Sequence, residues 1–123
     1  MAGVIHVPWY ATGFRGDALE QALEEISRMS IRYGATSYHV YRYRDDRYKF
    51  LQILAFENKL DFERYWDGPD FIDFRVVNSG SYQVPVIYQW VDQVAHGEIA
   101  PEPVTPGAEF TPDAHGGAGT LAN

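Results

Sequence analysis

Residues 48–74, YKFLQILAFENKLDFERYWDGPDFIDF, change their hydrophobic period twice, and the fold is read from those changes. Tyr48 to Phe56 (YKFLQILAF) is too evenly apolar for a strand with one wet face, so it reads as a central strand buried on both faces. At Asn58 the pattern turns helical. Asn58 suits an N-cap, Asp61 stands in the reciprocal capping position, and Phe62, Tyr65 and Trp66 fall on one stripe. Gly68-Pro69 stops that helix and opens a short new one, because the first helical turn leaves an N–H unpaired that Pro does not have. Phe71, Phe74 and Val77 would then face inward.

A hairpin precedes this run: Tyr38 to Arg44 alternates Tyr38, Val40, Arg42 and Arg44 against His39, Tyr41 and Tyr43, and Asp45, Asp46 and Arg47 make the turn. Leu19, Leu23, Ile26, Met29 and Tyr33 recur at helical spacing, between Asp17 as an N-cap with Glu20 three residues on and Gly34 as a C-terminal stop. Val4 to Thr12 (VIHVPWYAT) alternates as a strand, with Ile5, Val7, Trp9 and Ala11 on one face and Val4, His6, Pro8 and Tyr10 on the other. Pro8 removes a ladder donor and predicts a bulge or a gap in pairing. Tyr82 to Trp90 (YQVPVIYQW) reads as the last strand, with Tyr82, Val84, Val86, Tyr88 and Trp90 on one face and Pro85 at an edge or bulged position. The order β-α-β-β-α-β describes an α+β, ferredoxin-like protomer: a four-stranded antiparallel sheet with helices on one face. The second face still carries ring after ring. Another copy of the chain would cover it, so a homodimer or larger homo-oligomer is expected.

Composition excludes several chemistries. The 123 residues contain no Cys, so no thiolate metal site or cysteine nucleophile is available. His6, His39, His96 and His115 form no pair at metal-ligand spacing, and no metal is expected. A net charge of −7 argues against a nucleic-acid partner. No apolar run approaches a membrane span and no secretory leader pattern opens the chain, so the expectation is a cytoplasmic protein without a membrane partner. Residues 97–123 hold Glu98, Glu102, Glu109 and Asp113 with no Lys or Arg; removing those four acids from the total leaves −3 for residues 1–96. With Pro at 101, 103, 106 and 112, this stretch reads as an acidic tail, extended rather than packed, following a domain of residues 1–96. Phe110, with Val104 and Leu121, would be its anchor on another surface.

Phe50 to Trp66 (FLQILAFENKLDFERYW) followed by GPDFIDF resembles the dimeric α+β barrel superfamily, most closely its antibiotic-biosynthesis monooxygenase branch. There the third strand runs into a capped helix with an aromatic stripe and then, after a break, into a short helix. The resemblance spans residues 4–91 and implies a ferredoxin-like protomer whose sheet pairs with that of a second copy, with a pocket between sheet and helices. Members include cofactor-free monooxygenases of aromatic polyketides, haem-degrading enzymes, isomerases, cyclases and proteins of no known activity. The branch often ends its third strand with a pocket-lining Trp, and Phe56 stands at that position here. Haem-degrading members place a ligand His on or near the second helix. Residues 59–77 contain none, so haem is not expected and no cofactor is assigned.

The candidate site residues follow. His39, with Tyr41 and Tyr43 on its face, fits a proton-transfer group or a hydrogen-bonded interface histidine. Arg75 could hold an anionic or enolate oxygen, or lie on a polar helix face. Those two are the catalytic candidates; Trp9, Gln52, Phe56 and Trp66 are the substrate-binding ones, each weighed against simple core packing. Arg42 and Arg44 read as a solvated face. Two functions remain: a small-molecule enzyme acting on a hydrophobic aromatic or polyketide-like compound, in the manner of a cofactor-free monooxygenase, or a non-catalytic dimer that binds a ligand or partner protein through its acidic tail. A cavity of roughly 300 Å³ or more, with His39, Arg75 or Gln52 pointing into it, would favour the first.

Overall fold

The centre of the sheet is the strand read first from sequence. A computed structural model describes residues 3–101: β1 (Gly3–Tyr10), α1 (Gly16–Met29), a 3-10 turn (Ser30–Tyr33), β2 (Ala35–Arg42), β3 (Lys49–Phe56), α2 (Lys59–Trp66), α3 (Pro69–Asn78) and β4 (Gln89–Asp92). The sheet is antiparallel in the order β2-β3-β1-β4. Phe50, Gln52, Leu54 and Phe56 of β3 are buried beneath the helices, together with Ile5, Val7 and Trp9 of β1. On the other face Leu51, Ile53 and Ala55 are half-buried, so in the single chain β3 is covered on one side only. The expected anchors Val104, Phe110 and Leu121 lie outside the described residues; 97–101 are exposed, without regular structure.

Pro8 shapes the sheet as its missing donor requires. Ala11 donates its N–H to the Tyr48 carbonyl at 2.8 Å, on the β3 side, so alternation turns Pro8 toward β4. The β1–β3 ladder passes Pro8 without a bulge, whereas β1–β4 pairing stops at His6 and returns as a single bridge between Ala11 and Tyr82. This corrects the expected last strand. Continuing the β1–β4 register would set Pro8 opposite Ile87 and Pro85 opposite Tyr10, and two prolines withdraw two ladder donors. Residues 83–88 therefore leave the sheet, and the strand forms later, at Gln89–Asp92. There Trp90 pairs with Ile5, and its ring fills the space that a Cβ on Gly3 would need.

The helix ends differ in how they are satisfied. Asn58 caps α2 as its sequence suggests, its side-chain oxygen accepting from the Leu60 N–H at 2.8 Å, an interaction usually worth about 1 kcal/mol. Asp61 binds Arg64 at 3.3 Å. Asp17 is not a cap: α1 begins at Gly16 after Arg15, with no side-chain cap bond. Asp17 and Glu20 instead accept from Arg42 at 2.8 and 3.0 Å. Arg42 is accordingly no solvated residue; its side chain is 14% exposed and its guanidinium lies 5.1 Å from the Phe50 ring centre. Hydrogen bonding to Arg42 holds the exposed Asp17 carboxyl below the ordinary range. Its small stabilisation is therefore present above that range and lost as the pH falls through the lowered value. Gly34 closes the 3-10 turn at φ +107°, a left-handed conformation that glycine adopts without strain. Phe71 and Phe74 of α3 are buried, but Val77 borders an open groove between α1 and α3 and is 71% exposed.

Candidate functional site

Where α2 breaks into α3, the end of β1 and the segment after Tyr82 close around a cleft of about 390 Å³. Its walls are Trp9, Trp66, Asp67, Arg75, Tyr82, Val84 and Val86. Trp9 is the fixed wall. Its indole lies 5.0 Å, edge to face, from Tyr82, 5.6 Å from Phe74, 6.3 Å from Phe71 and 6.4 Å from Trp66. Behind it a polar chain holds the ring. Trp9 Nε1 donates to Gln52 Oε1 at 3.0 Å, and Gln52 Nε2 donates to Ser27 Oγ at 2.8 Å and to the Tyr65 hydroxyl at 3.5 Å. The Tyr65 hydroxyl donates to the Ile26 carbonyl at 2.5 Å, and burial pushes that phenol's pKa far up. Since an indole only donates, the Gln52 carboxamide is oriented without ambiguity, and every member is buried and paired.

Arg75 forms the charged wall. Its Nη2 donates to the Trp66 carbonyl at 2.8 Å, and its guanidinium sits 5.0 Å from the Trp66 ring centre and 4.6 Å from that of Phe71. The helix break at Gly68-Pro69 makes this possible by turning α3 back so that Arg75 meets the end of α2. Stacking and one hydrogen bond leave further guanidinium donors for a ligand. Asp67 is the only other charged residue of the lining.

The sequence candidates separate into three groups. Trp9, Trp66 and Arg75 meet in the cleft. Gln52 stands behind its wall, and Phe56 is buried against Phe62 at 5.7 Å and Tyr65 at 6.2 Å. His39 lies elsewhere: exposed on the open sheet face, its ring parallel to Tyr41 at 6.1 Å, in a cross-strand row with Ile53 and His6. His39 borders a different depression of about 370 Å³ beside edge strand β2, in which Arg42 is already paired with Asp17 and Glu20. The two catalytic candidates thus do not share a site. Sequence reasoning missed Tyr82 and Asp67. The alternation of Tyr82, Val84 and Val86 carried the signal for the first, since those residues keep a common face although the strand itself is absent.

Among the described residues no group of three or more His, Cys, Asp or Glu is arranged to hold a metal ion, and no helix is long and apolar enough to cross a membrane. Two Trp rings, a phenol, two valines, one guanidinium and one carboxylate give the cleft flat apolar walls with a few polar groups.

No family model matches the chain, and no curated protein does. Solved structures do. A Pseudomonas aeruginosa protein, PA3566, superposes with a TM-score of 0.67 at 21% identity, covering 76% of this chain and 95% of its own. A Nitrosomonas europaea protein described as an antibiotic biosynthesis monooxygenase gives 0.68 at 16% identity, over 76% of this chain and 90% of that one. SnoaB, a cofactor-independent oxygenase from Streptomyces nogalater, gives 0.66 at 12% identity, over 77% and 95%. The chain therefore has the ferredoxin-like α+β fold of the antibiotic biosynthesis monooxygenase structures.

Proposed function

We propose that the chain is a small-molecule enzyme acting on a hydrophobic aromatic or polyketide-like compound, and that it works as a cofactor-free monooxygenase. The observation that carries this reading is Arg75, stacked on Trp66 and Phe71 with donors to spare, at the mouth of a cleft walled by Trp9. Such a site removes water from a flat ring and stabilises an oxygen of that ring as an anion. The substrate loses a proton to solvent, and its carbanion passes electrons to dioxygen and forms a peroxide. Loss of water from the protonated peroxide leaves a ketone, so one oxygen atom enters the product and the other leaves as water. Likeness of fold to SnoaB supports the choice of reaction. Dithranol, a hydroxyanthrone, tests it: the protein should accelerate oxygen uptake well above the protein-free rate. The filled interior under β3, where Phe56, Phe62 and Tyr65 meet, favours one alternative, a binding module without turnover. Binding of dithranol without added oxygen uptake would establish it.

The reading includes a homodimer formed through the open sheet face. Tyr41 is 53% exposed there, and Tyr10, Tyr43 and Tyr48 are also exposed, an apolar surface unusual for a lone protomer. Sedimentation at micromolar concentration should give twice the chain mass, and Ile53→Asp, at the middle of that face, should give the monomer mass. A wild-type monomer would remove the dimer from the account.

A further inference from the structure

Tyr82 is a phenol placed with care and given nothing to bind. Its ring is edge-on to Trp9 at 5.0 Å and parallel to Phe74 at 6.1 Å, and its backbone is bridged to Ala11. The residue is only 8% exposed and lines the cleft beside Arg75. Yet among the described residues its hydroxyl has no hydrogen-bond partner. The ring is packed, but its phenol end is only partly buried and opens on the cleft, where it stands as a donor that the protein leaves unpaired. An unpaired one that faces a cleft is explained if a ligand completes it.

We propose that the Tyr82 hydroxyl and the Arg75 guanidinium together form a two-donor seat for an anionic oxygen, phenolate, enolate or carboxylate, of the aromatic ligand, and that Tyr82 selects ligands carrying that oxygen. The proposal rests on the aromatic-ligand reading of the cleft given above. The two donors come from unconnected elements, α3 and the segment that leaves the sheet after Tyr82, and both are fixed before a ligand arrives: Arg75 by the Trp66 carbonyl, Tyr82 by two rings and a bridge. Burial raises the Tyr82 phenol while Arg75 pulls it the other way, and the net is upward, so the hydroxyl keeps its proton and donates at neutral pH.

Two probes that differ in the oxygen test this: naphthoate and methylnaphthalene, titrated while the indole N–H signals of Trp9 and Trp66 are followed by NMR. The wild type should bind naphthoate more tightly. Tyr82→Phe should weaken naphthoate about tenfold, the usual scale of a hydrogen bond to a charged group, and leave methylnaphthalene within about twofold. Without ligand, Tyr82→Phe should melt at the wild-type temperature or above it, because the deleted hydroxyl had no partner. A structural role would lower the melting temperature instead. Naphthoate affinity unchanged in Tyr82→Phe, or equal losses on both probes, overturns the role of Tyr82 while the cleft remains a binding site. If neither probe moves the Trp9 and Trp66 signals of the wild type, the aromatic-ligand reading falls, and the two-donor seat with it.

Discussion

Gln52→Leu should lower the unfolding free energy by about 2–4 kcal/mol, the sum expected when one side chain's removal leaves two buried polar groups unpaired. The substitution keeps approximate size but takes the acceptor from Trp9 Nε1 and the donor from Ser27 Oγ, and none of the three residues can turn to water. Urea unfolding measures the loss. Its specificity is checked by Trp9→Phe combined with Gln52→Leu, because a ring without an N–H has nothing left to lose. The pair should cost clearly less than the sum of the two single changes. Strict additivity would mean that the carboxamide does not hold the indole.

Arg75→Leu should reduce kcat/KM for dithranol oxygen uptake by about 10–100-fold, the range for losing a charge-assisted hydrogen bond to the substrate's oxygen. Arg75→Lys should recover little of it. A guanidinium is flat, stacks on Trp66 and Phe71 and binds the Trp66 carbonyl with one nitrogen while others face the cleft. An ammonium offers a point charge without that plane. Full recovery by Lys would reduce the role of Arg75 to charge alone, and an unchanged rate in Arg75→Leu would remove it from the site.

Much of this architecture was legible because it rests on short-range signals. The even apolar run into Asn58, the aromatic stripe on Phe62 and Tyr65 and the break at Gly68-Pro69 each specify local backbone, and sheet order follows from them. The last strand was not legible: its fate depends on Pro8, which sits opposite it across the sheet, so two prolines far apart in sequence act together. Asp17 misled for a related reason, since a cap pattern and an ion pair use the same carboxylate, and Arg42 arrives from β2 to claim it. In the site, Trp9, Trp66 and Arg75 could be proposed because bulky rings, and a cation next to the inward Phe74, are visible one residue at a time. Whether Gln52 meets a ligand or a tryptophan is decided by packing across β1 and β3, and alternation does not encode it. His39 shares a face with Tyr41, as the alternation grouped them, but nothing in its own strand told which face that is or which one the cleft would use.

The central claim is that a flat aromatic anion occupies the cleft at Trp9, Trp66 and Arg75, and co-crystallisation with a hydroxyanthraquinone, the oxidised form of a dithranol-like substrate, tests it most directly. The account predicts ring density against Trp9 and Trp66, with one oxygen within hydrogen-bond distance of both Arg75 and the Tyr82 hydroxyl. Density beside His39 on β2, or in the groove between α1 and α3, with the cleft at Trp9 empty, would contradict it.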